Sequence, residues 1–258
     1  MSRLKESELK ELAPAIFAQE PSSRVSDKYN FVPTIDLIKE IGKRQFFPVS
    51  AEQQATKDPI NALYQKHVVR FRWVHDLDKD KKDVFEYILV NSHNARSSLR
   101  FYMGAHVQVC SNGLVFGTIE DSFRIVHIPE YDEMIESSID EMFEKSLRTK
   151  QEIKDAKTIV LTEIEKDKFA REAHQLRYNK KSLVKPSNLL EIRRPENEKP
   201  TLWNVFNVLQ ENLIVGGVTY EMSNGTHKYP DTTTGLTNID RKISINVALW
   251  DMMLKRLK

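Results

Sequence analysis

At 258 residues, with 40% hydrophobic and 29% charged side chains, the chain can bury one large core or two small ones. A net charge of only +2 does not announce a nucleic-acid binder, and no apolar run approaches the roughly 18 residues of a membrane span. The lone Cys110 excludes an intrachain disulfide framework and a cysteine-based zinc site. The first residues lack the apolar stretch of a signal peptide, so a cytoplasmic location in a bacterial host cell is the expectation.

Leu9, Leu12 and Ile16 recur at helical spacing, and Pro14 should kink or restart that helix. Residues 19–32 read as a loop. Pro33-Thr34 opens a helix that Gly42 should end, and 46–56 read as a short strand running into a polar connection. The middle of the chain reads as strands. Residues 67–74 alternate, with Val69, Phe71 and Trp73 on one face and Arg70 and Arg72 on the other. Strands at 83–91, 98–104, 106–110 and 123–128 follow. The tip Asp78–Lys82 is charged, Gly104 divides two strands, and Asn112-Gly113 signals a tight turn.

From Glu130 to about Asp155 the period becomes helical. A second helix over 161–178 opens on a capping box, Thr162 with Glu165. Pro186 and Pro195 bracket a short segment. A helix over 201–217 ends at Gly216-Gly217, a polar loop spans 223–238, and the last segment is a strand running into a helix or helical throughout. The order of elements predicts a single α+β domain over 1–258: an N-terminal helix and loop (1–32), a sheet region (33–128) and a helical region (129–258). Its antiparallel sheet has about five to seven strands, packed by a long helix and C-terminal helices.

Charge is unevenly spread. Glu130–Glu144 holds seven acidic residues and no Lys or Arg, whereas Lys166–Lys199 holds ten Lys/Arg against five Asp/Glu. These stretches are solvated helix faces, an intramolecular pairing, or a surface for an anionic ligand. Two polar clusters, around His93-Asn94 and around Ser111-Asn112, bracket a predicted hairpin. They satisfy their own backbone, or else meet at one sheet edge and bind an anion with Arg96 and Arg100. On the helix over 201–217, Asn204, Asn207 and Glu211 share a stripe that bonds a neighbouring loop or lines a site. No phosphate-binding glycine loop and no hydrolase or metalloprotease motif occurs, and no cofactor or metal is expected. Cys110 with His93, and His106 with Cys110 and His127, lack the spacing that would mark a catalytic or metal site.

Several runs then coincide: S-H-N at 92–94, V-C-S-N-G-L at 109–114, L-T-x-x-E and F-A-x-x-A-x-x-L-R within 161–177, L-W-N-V-F-N-V-L-Q-E-N-L-I-x-G-G at 202–217, and R-K-I-x-I-N-x-A-L-W at 241–250. In that order they resemble the phage/plasmid-like protein family built on domain of unknown function 932, over about Arg24 to Trp250. The resemblance implies a mobile-element origin in bacteria or their viruses and brings no catalytic residue with it. The family's usual run after Ser-His is Asp or Asn and then Gly, whereas here Asn94 is followed by Ala95. By order of elements alone, strands before a long helix are similar to the core of single-strand annealing recombinases.

The resulting expectation is a non-enzymatic DNA-binding protein of a phage or plasmid, oligomeric, that binds or anneals single strands in recombination or replication. Arg70, Arg72, Arg96, Arg100, Lys180, Lys181, Arg193, Arg194, Arg241 and Lys242 would contact phosphates, with Phe71, Trp73 or Tyr102 stacking on bases. His93, Asn94, Ser111, Asn112, Asn207 and Glu211 would form a polar site. The alternatives are an interaction protein that inhibits a host factor, such as a defence system, and an enzyme or binder of a small nucleotide-like ligand.

Overall fold

The structure is a computed structural model that describes residues 2–26, 29–77, 84–107, 110–116, 123–125, 131–223 and 227–258; at 105–107, 110–116, 123–125 and 131–134 it describes the backbone alone. The chain is α+β. It divides into two compact units, one of 1–108 with 115–146 and one of 109–114 with 147–258.

In the first unit, helix α1 (Glu6–Leu12) stops before Pro14, which opens a 3₁₀ turn, Pro14–Phe17, as its fixed φ and missing N–H require. Helix α2 (Thr34–Lys43) runs one residue past Gly42. The left-handed residue after it is Gln45, at φ 67°. Strand β1 (Phe46–Gln53) leads through the short helix α3 (Pro59–Ala62), capped by Asp58, to β2 (His67–Trp73). Strands β3 (Val84–Asn91) and β4 (Leu99–Val107) continue an antiparallel sheet in the order β1-β2-β3-β4.

The predicted break at Gly104 is absent. Gly104 sits inside β4 opposite Glu86, so the ladder overrides the local glycine signal. Asn112-Gly113 likewise lies within strand β5 (Cys110–Phe116) and not at a turn. Strand β6 (Phe123–Ile125) pairs with β4. The charged tip at 78–82 lies outside the described residues. Helix α4 (Tyr131–Thr158) then begins in the first unit and ends in the second.

The core of the first unit lies on the sheet face bearing Val69, Phe71, Tyr87, Leu89, Leu99 and Phe101, covered by Leu37 and Ile41 of α2 and by Ile135, Ile139 and Met142 of α4. The stacked Tyr87 and Phe101 rings, 5.0 Å apart, anchor it, and the Tyr87 hydroxyl meets Ser138. Burial of the phenol raises its pKa.

The opposite sheet face is buried as well, at Val68, Ile88, Val90 and Tyr102. Arg72 therefore sits 2% exposed, its guanidinium 2.8 Å from Glu86, which Arg70 also grips at 3.0 Å. Period-two alternation is correct for β2, but a polar outer face is not what results. A charge that is buried survives only when paired.

In the second unit, α5 (Glu163–His174) carries the expected reciprocal capping box between Thr162 and Glu165. Pro186 and Pro195 each open a 3₁₀ turn. Helix α6 (Leu202–Ile214) is buried on nearly every side, and three of its amide side chains bond to other segments. Gln210 donates to Asn246, Asn212 donates to the Leu189 and Glu191 carbonyls, and Asn204 donates to those of Glu196 and Lys199.

Gly216 and Gly217 end α6 at φ 76° and 72°, and a Cβ on Gly216 would stand 2.4 Å from the Thr234 backbone. The stretch 223–238, expected as a loop, contains most of a hairpin, β7 (Thr219–Ser223) with β8 (Lys228–Thr232). The last segment is helix α7 (Ile239–Leu254), capped by Asn238. Trp203 stacks on Phe206, and Trp250 meets the same ring edge-on.

The Arg70–Glu86–Arg72 cluster gives a direct test. Glu86→Gln removes the carboxylate that both guanidinia share and should cost about 3–5 kcal/mol in a urea unfolding curve.

Candidate functional site

Ser92 and His93 of the S-H-N run, with Asn91 before them, enter the first unit's interior. Asn91, Ser92 and His93 are buried, and His93 comes close to His67, which opens β2; the rings are 5.1 Å apart. Both histidines point Nε2 at one atom, the hydroxyl of Thr34 at the first position of α2, at 2.8 Å for His67 and 3.3 Å for His93. Asn91 donates to the same oxygen at 2.9 Å.

Proton counting sets the arrangement. The Gln65 carbonyl lies 2.9 Å from His67 Nδ1, so Nδ1 carries the proton and Nε2 accepts from Thr34. Thr34 has only one proton to give, so His93 Nε2 must donate. His93 Nδ1 is left buried with no hydrogen-bond partner. Burial pushes His67 down to about 4, against the Gln65 bond that favours the charged form. Burial and the His67 ring push His93 down to about 3, against a smaller opposing effect of the Ala15 backbone. Both rings are neutral at pH 7.

The rest of that loop serves itself. Ser92 Oγ accepts from Ser97 N and donates to Ser97 O, both at 3.0 Å, and Asn94 accepts from Arg96 N at 3.2 Å. Ala95 occupies the left-handed region at φ 57°, where glycine is the residue of least strain. The side chains of Ser111 and Asn112, and of Cys110 and His106, lie outside what the structure describes, as does His127.

Of the predicted cations in the first unit, Arg70 and Arg72 are held by Glu86 and Arg100 turns back onto Ser98 and Tyr102; only Arg96 is exposed. Phe71 and Tyr102 are buried and offer no ring to a base, whereas Trp73 is 37% exposed.

The second unit differs. Arg194 forks onto Glu211, which removes both from any open site, and Asn207 is buried. Arg148, Arg171 and Arg256 also pair with carboxylates. Arg177, Arg193 and Arg241 do not: among the described residues no carboxylate lies within 4.0 Å of any of them. Arg177 donates to the Leu213 and Thr234 carbonyls, and Arg241 donates to the carbonyl of Leu176, next along α5's end. Arg193 lies against Gly217, where an added Cβ would stand 3.2 Å from its Nη1. Gly217 N bonds in turn to Thr233, beside Thr234. Arg177 and Arg241 thus bond to backbone carbonyls and Arg193 lies against Gly217, with the exposed Lys180 and Lys181 just beyond Arg177 in the chain. Arg177 closes the F-A-x-x-A-x-x-L-R run and was readable there, but was not counted among the phosphate contacts. Among the described residues no cluster of three or more metal-ligating side chains occurs, and no helix is long and apolar enough to cross a membrane.

The chain belongs to the family described as Domain of unknown function (DUF932), whose sequence profile matches residues 21–250. It is similar to two Escherichia coli K12 proteins, "UPF0380 protein YfjQ" and "UPF0380 protein YafZ". Each is 30% identical over 249 residues, which is 95% of this chain and 88% of the relative. No solved structure matches the chain.

Two outcomes follow from the hub. In the unfolded chain each histidine titrates near 6.5, so below that pH the unfolded state takes up protons that the native state refuses. Stability should be full above about pH 6.5 and fall as pH drops toward the folded values near 4 and 3. Between pH 6.5 and 5, above the ordinary carboxylate range, the loss should approach about 1.4 kcal/mol per pH unit for each ring. His93→Gln keeps a donor and should flatten that slope in denaturant titrations. Separately, Ala95→Gly relieves the left-handed strain and should raise stability by about 0.5–1 kcal/mol, seen as a higher thermal midpoint.

Proposed function

We propose that this chain is a non-enzymatic DNA-binding protein of a phage or plasmid, working in the bacterial cytoplasm on single strands during recombination or replication. The observation that carries the reading is the arginine set of the second unit. Among the described residues Arg177, Arg193 and Arg241 meet no carboxylate while the unit's other arginines are paired, so their positive charge, held by neutral carbonyls or by none, is left for a phosphate to neutralise. The phosphate contact belongs to this set together with Lys180 and Lys181, and not to Arg70 and Arg72, which Glu86 already holds.

A strand-rich first unit followed by the long helix α4 supports a likeness to annealing recombinases at the level of architecture only. Self-association has the partly exposed rings of Trp73 and Phe143, in contact at 6.1 Å, as its supporting observation.

The test is fluorescence anisotropy of labelled DNA across a salt series. Affinity should fall with salt, and Arg193→Ala and Arg241→Ala should each weaken binding and reduce the logarithmic salt slope by about one. Binding that is absent, or indifferent to salt, rejects the proposal.

A further inference from the structure

The second unit holds a groove of about 600 Å³ between the 3₁₀ turn Pro186–Leu190 and the β7–β8 hairpin. Leu190, Tyr220, Tyr229 and Pro230 supply its apolar and aromatic lining. In the hairpin register Tyr220 faces Asp231 and Met222 faces Tyr229, so the two tyrosines project from the same face. Every residue of β8 is exposed, and Tyr229 is 45% exposed. A two-stranded hairpin has little core of its own; Tyr220 is half-buried with its hydroxyl tied to Asp231, and the Tyr229 ring is the more open of the two.

The charges divide in a definite way. On the groove's lining Glu221 is held by Lys228 at 2.8 Å, and Asp231, next in the chain to the lining residue Pro230, accepts the Tyr220 hydroxyl at 2.8 Å. Glu191 also lines the groove, so its floor is neutral to acidic and unsuited to phosphate. Beside it, Arg193 follows Glu191 by two residues and lies on Gly217, two residues before Thr219 of the lining. Two aromatic rings on one hairpin face with a cation beside them match a strand whose bases turn toward the rings and whose backbone stays out. A duplex keeps its bases stacked on one another and has none to offer such a groove.

We infer that this groove is a base-stacking site for single-stranded nucleic acid, with Tyr220 and Tyr229 as platforms and Arg193 at the rim. The inference rests on the DNA-binding reading above and adds the part of the ligand that the arginines do not read.

The experiment compares a labelled thymidine oligomer with a duplex of equal length on the intact chain. Tyr220→Ala and Tyr229→Ala should each weaken single-strand binding about tenfold, while Tyr229→Phe keeps it. Duplex binding should stay within about twofold in all three, because no ring contacts its bases. The unsubstituted chain gives a second readout: the bound oligomer should protect Tyr229 from nitration. Salt-sensitive binding that the tyrosine variants leave unchanged, or that they weaken equally for both DNAs, overturns the groove and spares the DNA-binding reading. A wild-type chain that binds neither DNA overturns both. An unprotected Tyr229 in the presence of saturating oligomer overturns the groove alone.

Discussion

The first unit is organised around a single hydroxyl proton. Thr34 can donate once and accept twice, and its partners come from the end of β3, the start of β2 and the loop that follows β3. The oxygen is therefore saturated only when α2 sits with its first turn over the joined ends of β2 and β3. Displacing any one of those elements would leave a buried polar atom unbonded, which costs about 1–3 kcal/mol per group. The hub thereby specifies how helix and sheet meet, a task that apolar packing alone performs less sharply.

The same saturation explains why His93 is conspicuous without being reactive by default. A neutral imidazole with a buried, unused lone pair differs chemically from one that turns freely in solvent. Here the ring edge packs on Phe31 at 4.9 Å, and its tautomer is dictated by Thr34, far away in sequence. The Arg70–Glu86–Arg72 cluster is the ionic counterpart on the other sheet face. In both places polar residues have become interior fixtures by finding partners from other elements.

Legibility in the sequence follows the range of the interactions. Local chemistry was readable: the Thr162–Glu165 capping box, the restart at Pro14, and the helix end at Gly216-Gly217 each depend on residues a few positions apart. Signals that tertiary structure can outvote were misleading. Gly104 and Asn112-Gly113 would bend an isolated peptide, but ladder pairing carries strands through both. The hub was not readable, because Thr34 and His93 lie 59 residues apart and no period links them. Arg72 failed as a surface cation for a related reason: alternation says which residues share a face, and nothing about whether that face is covered. That Arg177 binds carbonyls and, among the described residues, no carboxylate could be seen only once the partners of all the arginines were known.

The placement of the tryptophans has an optical consequence. Trp203 and Trp250 share the Phe206 ring in the interior of the second unit, whereas Trp73 is partly exposed in the first and lies 4.4 Å from His75. Emission from the interior pair should be blue-shifted and insensitive to solution quenchers, and that of Trp73 red-shifted and open to acrylamide. One chain thus carries two spectrally separable reporters, through which the melting of each unit can be followed without adding a dye.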